Sequence, residues 1–243
     1  MKFKDFATGR FYNEDCFDAM KEIPSGVIDM ILCDLPYGTT QNKWDSVLSL
    51  EKLWKEYWRV CKNNAAIVLT AQPPFDKSLG VSQIDYLKYE WIWEKTAASG
   101  HLNAKKQPMK AHENVLVFYK EQCSYNPQFE EGKAYTQKSG RASSNYGEQV
   151  QVVTENDGKR YPKSVQRFSR DKIRIHPTQK PVALFEYLIK TYTNENELIL
   201  DNCAGSGTTA IAAMNTNRKW VCIEKETEYY DKAIDRIINH GWK

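Results

Sequence analysis

Residues 197–214 read "ELILDNCAGSGTTAIAAM". The apolar run Glu197–Asp201 has the length of a strand and ends on an acid. Gly205-Ser206-Gly207 follows, and the small apolar residues from Thr208 onward suit a helix. Glycines let a ligand come close to the backbone, and a helix N-terminus offers N–H groups with no partner inside the helix. A second apolar run, Trp220–Glu224, again ends on an acid. An acid about 20 residues beyond a glycine loop is placed to accept hydrogen bonds from ribose hydroxyls. Strand, loop, helix, strand and acid together read as half of a nucleoside-cofactor site.

Two cofactors compete for that half-site. Gly205-x-Gly207-x-x-Ala210 satisfies the dinucleotide fingerprint, so an NAD-dependent oxidoreductase stays open. Against it, Asp201 stands where a negative charge opposes a pyrophosphate, and the loop lies near the end of the chain rather than opening the fold. S-adenosylmethionine has an adenosine, no phosphate, and a sulfonium with an α-amino group. It suits Asp201 and Glu224 better. A plain glycine turn between strand and helix is the structural alternative.

Outward from the loop, short apolar runs alternate with helical patterns. Val27–Cys33, Ala65–Thr70, Tyr89–Trp93 and Asn114–Tyr119 read as further strands. Leu50, Leu53, Trp54, Tyr57, Trp58 and Cys61 share a helical face, as do Leu184, Phe185, Leu188, Ile189 and Tyr192. Tyr230, Ala233, Ile234, Ile237 and Ile238 mark a last helix. Apolar strands alternating with amphipathic helices predict an α/β fold, a mostly parallel sheet with helices on both faces. The stretch 121–175 breaks the pattern and reads as a long insertion, rich in Gly, Ser, Gln, Asn, Tyr and basic residues.

Composition narrows the class. The 243 residues fit one large α/β domain or one domain with an insertion, and 41% apolar with 27% charged residues is a globular balance. MKFKDFATGR lacks an apolar core, so no secretory leader is expected. No apolar run approaches the roughly 18–20 residues that span a membrane. The six cysteines form no C-x-x-C pair and the four histidines show no ligand spacing, so neither a disulfide framework nor a metal site is expected. A reducing cytoplasm is the expected compartment.

One more stretch stands out: "CDLPYG", residues 33–38. A buried-looking strand runs into Asp34-Leu35-Pro36-Tyr37, although turns prefer small polar residues. Alone, this is a turn with a surface tyrosine. Read with the glycine loop, it resembles the catalytic tetrad D/N/S-P-P-Y/F/W of the DNA amino-methyltransferases, which modify N6 of adenine or N4 of cytosine. Asp201-Asn202-Cys203-Ala204-Gly205-Ser206-Gly207-Thr208-Thr209 resembles their cofactor motif. "HPTQKP", His176–Pro181, is similar to the segment before that motif in the beta class. Tetrad, target-recognition region, HPTQKP and glycine loop follow that class's circularly permuted order on a Rossmann-like fold. Leu35 replaces the more usual first proline but keeps a backbone carbonyl. Asn202-Cys203 replaces a more usual Pro-Phe.

The resemblance implies a catalytic half (1–120), a target-recognition insertion (121–175) and a cofactor-binding half (176–243). It makes Asp34, Leu35, Pro36 and Tyr37 catalytic. Asp34 also belongs to the cofactor set, with Asp201, Asn202, Ala204, Gly205, Ser206, Gly207, Thr208, Thr209 and Glu224. Asp15 and Cys16 lie near the adenine. Thr178 and Lys180 join the cofactor set, with Lys180 meeting the methionine carboxylate; as a good N-cap residue, Thr178 is also expected to cap the helix that begins near Pro181. A helix-starting surface Asp15 and a solvated Lys180 are the plain alternatives. Double-stranded DNA is the implied partner, along with a homodimer and a cognate restriction endonuclease.

The chemistry asks for these residue types. An exocyclic amine is a poor nucleophile because its lone pair is delocalised into the ring. Hydrogen bonds to Asp34 and to a carbonyl at Leu35–Pro36 favour a pyramidal nitrogen aimed at the sulfonium methyl. Such positioning supplies up to roughly 7–11 kcal/mol in model systems. Pro36 fixes φ, and Tyr37 offers a stacking face worth about 1–3 kcal/mol to a base drawn out of the helix. Lys159, Arg160, Lys163, Arg167 and Arg170, interleaved with Tyr161 and Phe168, suit phosphate contacts. Lys105 and Lys106 stand in a second basic loop, Lys95–Lys110. A solvated basic face is the alternative for both segments. Asp at the head of the tetrad favours adenine, whereas cytosine-N4 enzymes more often carry Ser there. Relatives that modify RNA or a protein glutamine usually carry Asn. A non-catalytic DNA-binding module remains the third class.

Overall fold

The computed structural model describes residues 2–38, 45–138 and 153–240 of the chain. It divides into a larger unit, 1–126 with 164–243, and a smaller one, Pro127–Lys163.

The larger unit opens with an antiparallel pair, β1 (Lys2–Phe6) and β2 (Gly9–Asn13), then α1 (Cys16–Lys21) and β3 (Ile28–Asp34). Next come α2 (Leu50–Val60), β4 (Cys61–Ala71), α3 (Phe75–Ser82), β5 (Leu87–Ser99), a 3₁₀ turn at His101–Asn103 and β6 (Lys110–Phe118). The smaller unit holds two short antiparallel pairs, β7 (Glu130–Glu131) with β10 (Lys159–Arg160), and β8 (Tyr135–Lys138) with β9 (Val153–Asn156). The larger unit resumes with β11 (Val165–Phe168), α4 (Val182–Tyr192), β12 (Leu198–Asp201), α5 (Thr208–Asn215), β13 (Lys219–Glu224) and α6 (Thr227–His240).

Nine strands form one sheet in the order β1-β2-β13-β12-β3-β4-β6-β5-β11. The run from β2 through β13, β12 and β3 to β4 is parallel, and β6 pairs antiparallel with both β4 and β5. Alternation along the central strands assigns the two faces. Met30, Leu32, Val68 and Ile199 pack with residues of α4, α5 and α6, including Phe185, Ile211 and Ala233. Ile31, Cys33, Ile67 and Leu200 pack with α1, α2 and α3 through Met20, Leu53, Tyr57 and Leu79. Helices therefore cover both faces, as the alternation predicts.

Every predicted strand is present with shifted ends. Cys61 opens β4 instead of closing α2. The β1–β2 pair has no counterpart in the apolar pattern, because β1 is a charged, mostly exposed edge strand. Gly9 lets β2 lie against β13: a Cβ there would stand 2.2 Å from the Trp220 ring. β11 joins the far edge of the sheet in parallel with β5, so 164–175 belongs to the larger unit. At the other flank, the Asn126 side chain donates to Lys190 O and Thr193 O at the end of α4. The separate unit is thus narrower than the expected 121–175.

Candidate active site

The chain crosses from one face of the sheet to the other between β3 and β12. Open α/β sheets bind ligands at such a switch point, beyond the carboxyl ends of the strands. Asp34 ends β3 and Asp201 ends the neighbouring β12. A cleft of about 350 Å³ opens above them. It is lined by the tetrad, the glycine loop, His176–Lys180, Asp15, Cys16 and Glu224.

Local chemistry builds each wall. Gly205 and Gly207 adopt φ of 49° and 71°, a region closed to most side chains. Gly207 precedes the first turn of α5, where a Cβ would stand 3.2 Å from Ile237 and 3.3 Å from Ala233. Asp201 braces the loop from below: its buried carboxylate accepts from Cys203 N at 3.1 Å and from the Thr209 hydroxyl. Burial pushes that carboxyl up to about 6, against the pull of these hydrogen bonds. Glu224 accepts from Gly205 N at 2.8 Å and from Glu226 N at 2.7 Å, and burial lifts it to about 7. Asp15 caps α1 by accepting from Phe17 N at 2.9 Å. Buried Asn202 accepts from Tyr57 OH at 2.5 Å, joining the loop to α2.

A residue outside the motifs ties this half together. Asp171 accepts from Val182 N at 3.1 Å, from Gln179 Nε2 at 2.8 Å and from Arg236 at 3.2 Å. Arg236 in turn donates to Ser206 O at 3.0 Å and to Thr208 Oγ1 at 3.1 Å. Asp171 therefore caps α4, the role expected of Thr178. Thr178 instead contacts His176, its N–H and hydroxyl lying 3.3 and 3.0 Å from Nδ1. The α4 N-cap, Pro181, has no side-chain hydrogen bond of its own. Burial takes His176 down to about 4, so its ring is neutral at physiological pH.

On the other wall, Leu35 is buried in the α1–α3 core and anchors the tetrad turn. Asp45 steadies its far side by accepting from Gly38 N at 2.8 Å. The Tyr37 ring stacks on Phe75 with centroids 5.5 Å apart and planes 28° off parallel. Its hydroxyl donates to Asp34 Oδ1 at 2.5 Å, and the Thr70 hydroxyl donates to the same oxygen. Burial, then the Asp34 and Glu113 charges, hold the Tyr37 phenol well above its usual pKa, so it stays a donor.

Lys180 departs from the solvated reading of the sequence: it is buried and lines the cleft. Its ammonium is 2.5 Å from Asp34 Oδ2 and 3.3 Å from Glu113 Oε2, with the side chain only 5% exposed. Burial opposes the ammonium, but Asp34 and Glu113 outweigh it and raise the Lys180 pKa. Glu113, on β6, carries no motif. Its other oxygen pairs with Lys95 at 2.7 Å. The predicted basic loop Lys95–Lys110 is strand at its two ends and a loop between them: Lys95 continues the buried alternation Trp91-x-Trp93-x-Lys95 of β5, and Lys110 opens β6 and donates to Gln72. That alternation was the readable sign that Lys95 points inward.

The predicted nucleic-acid contacts divide. Lys105 and Lys106 are exposed beyond the 3₁₀ turn. Arg167 is exposed near Glu94, 3.9 Å away, and exposed Arg170 lines the cleft. In the smaller unit, Lys159 and Lys163 are exposed. Arg160 is engaged inside that unit by Asn156 and by the carbonyls of Lys133 and Lys159, with its guanidinium 4.6 Å from the Tyr135 ring centre. Among the described residues there is no cluster suited to a metal ion, and no helix is long and apolar enough to cross a membrane.

The acceptor set suits a nucleoside with a cationic tail. Carboxylates of Asp15, Asp201 and Glu224 surround the glycine loop, where a pyrophosphate would meet them. A Cβ built on Gly205 would reach only His176, at 4.0 Å, so the backbone there is open to close approach.

A switch-point cleft with this loop on one strand end and the tetrad on the next defines the class, a Rossmann-like methyltransferase fold. The chain belongs to the N6/N4 DNA methylase family, whose model matches residues 28–235. The DNA adenine methyltransferase YhdJ of Escherichia coli (strain K12) is 27% identical over 253 residues, spanning 94% of this chain and 84% of that protein. Type II methyltransferase M.HpaI of Haemophilus parainfluenzae is 25% identical over 249 residues, spanning 94% and 74%. Among solved structures, the cytosine-N4-specific PvuII DNA methyltransferase shares the fold with a TM-score of 0.70 at 15% identity, over 96% of this chain and 91% of that one. The M1.HpyAVI–SAM complex shares it with a TM-score of 0.66 at 24% identity, over 94% and 99%.

Proposed function

We propose that this chain is an S-adenosylmethionine-dependent DNA methyltransferase acting on the N6 amine of an adenine drawn out of the double helix. The observation that carries this reading is the pairing of strand ends: Asp34 and the glycine loop, on neighbouring strands, line one cleft. Similarity to a named DNA adenine methyltransferase supports adenine, as does the Asp that heads the tetrad.

When bound, the cofactor supplies a methyl group on a cationic sulfur, and its C–S bond breaks as the new N–C bond forms. The protein's work is positioning and electrostatics. Asp34 accepts one N–H of the amine and a carbonyl at Leu35–Pro36 accepts the other. Positive charge grows on the nitrogen as the bond forms, and the Asp34 carboxylate stabilises it and stands ready for the departing proton. The Tyr37 ring, backed by Phe75, presents a platform for the base. Asp15 and Glu224 hold the nucleoside. Lys105, Lys106, Arg167 and Arg170 meet phosphates, which fix position without reading sequence. Pro127–Lys163, with the adjoining 121–126 and 164–175, is the target-recognition region. A cognate restriction endonuclease is in keeping with similarity to type II methyltransferases.

The test is incubation with labelled S-adenosylmethionine and unmethylated genomic DNA, followed by nucleoside analysis. N6-methyladenine is expected. N4-methylcytosine in its place would move the base assignment, and no methylated base at all would sink the reading.

A further inference from the structure

Asp34 already holds three donors: Tyr37 and Thr70 donate to one oxygen and Lys180 to the other. An incoming amine has to share the second oxygen with the Lys180 ammonium, whose positive charge opposes the charge that grows on the amine. The Lys180 ammonium has a second seat within reach, because Glu113 Oε2 lies 3.3 Å away. That oxygen is buried, has no hydrogen bond of good geometry, and belongs to a side chain that lines the cleft. Lys95, with 4% of its side chain exposed, pins the opposite oxygen of Glu113 at 2.7 Å. Three strands and the loop before α4 thus contribute a line of alternating charges, Lys95, Glu113, Lys180 and Asp34, which sums to zero.

We propose that Glu113 is a positioning residue for methyl transfer: it takes over the Lys180 ammonium when the target amine engages Asp34. The physical argument has two parts. Lys180 is too buried to be released into water, so it leaves Asp34 only if another carboxylate receives it, and Glu113 is the one beside it. The transfer also moves positive charge onto the amine nitrogen. A carboxylate clamped by an ammonium stabilises that charge poorly. Moving the ammonium toward Glu113 restores the negative field of Asp34 where it is needed. Lys95 sets the balance, since its charge keeps Glu113 from holding Lys180 outright in the resting state.

The inference rests on Asp34 being the acceptor of the target amine, so Asp34→Ala is measured alongside. The experiment is single-turnover transfer from labelled S-adenosylmethionine to unmethylated genomic DNA with enzyme in excess. Glu113→Gln is expected to slow transfer about tenfold or more while dissociation constants for cofactor and DNA stay within about twofold. In a Lys180→Met background, adding Glu113→Gln is expected to change the rate by less than about twofold, because the ammonium it seats is gone. A Glu113→Gln rate within about threefold of the parent, or losses that multiply in the double variant, would overturn the proposal. Should Glu113→Gln not fold, Lys95→Met tests the line from its outer end. Glu113 then draws Lys180 more strongly and transfer speeds up about twofold or more, whereas an unchanged or lower rate overturns it. Full activity in Asp34→Ala would instead sink the reading of the tetrad itself.

Discussion

Asp34 and Glu224 are both acids at strand ends, yet their surroundings give them different work. Asp34 sits among hydroxyl donors and a buried ammonium at the mouth of the tetrad turn. Replacing it with alanine is expected to lower the transfer rate about 100–1,000-fold, the usual effect of removing one preorganised electrostatic partner. The readout is single-turnover transfer, with cofactor binding measured separately. Glu224 is lifted from 4.5 to about 7, chiefly by burial. An acid raised on folding holds its proton more tightly in the folded chain. Its share of stability is therefore full below about 4.5 and falls away as pH rises to about 7. Cofactor binding runs the other way, because only the ionised carboxylate accepts fully from ribose hydroxyls. Affinity is expected to improve about tenfold between pH 6 and pH 8 and to flatten in Glu224→Gln, as titration calorimetry would show. A parent protein with pH-independent affinity would contradict this role.

At the scale of elements, two joints hold the cofactor half. The turn into α5 needs a left-handed residue at 207 with almost no room for a side chain. Gly207→Ala is expected to cost about 1–3 kcal/mol in a denaturant melt, with the slope unchanged. Asp171 is the second joint, since it caps α4 and holds the arginine that supports Ser206. Asp171→Ala is expected to lose about 2 kcal/mol of stability and also to weaken cofactor binding, because the loop loses its brace. A variant that melts early but binds cofactor as tightly as the parent would confine Asp171 to capping. The glycine loop was legible because its requirements are local: positive φ, small residues and a helix start within a few positions. The Asp171 cap was not, because it reaches Val182 from eleven positions earlier and no capping box marks it.

Across the whole molecule, charge divides into surface and interior. Lys105, Lys106 and Arg167 are exposed, and each is expected to release counterions on DNA. Changing any of them to alanine should reduce the slope of log affinity against log salt by about 1. Arg160→Ala should leave that slope in place, because its guanidinium is engaged within its own unit. Filter binding across a salt series decides the matter. Composition could not make this division. Lys95 and Lys105 look alike in a basic run, but alternation along β5 turns Lys95 inward beside the two tryptophans.

By itself, the sequence determined the parts whose physics is local. The strand-to-loop-to-helix turn at 201–209, the Asp34–Tyr37 turn and the apolar periodicity of the main helices each follow from residues a few positions apart. Three motifs in one order were enough to indicate the family. Tertiary structure decided what depends on strand order and long-range pairing. It placed Asp34 beside the glycine loop across β3 and β12, added the polar β1–β2 pair at the sheet edge, and gave Lys180 two carboxylates instead of water. Asp34, Lys95, Glu113 and Lys180 come together only because an antiparallel β5–β6 pair folds against a parallel core. Charge alone does not reveal whether a lysine is solvated, because that depends on which carboxylates the fold brings to it.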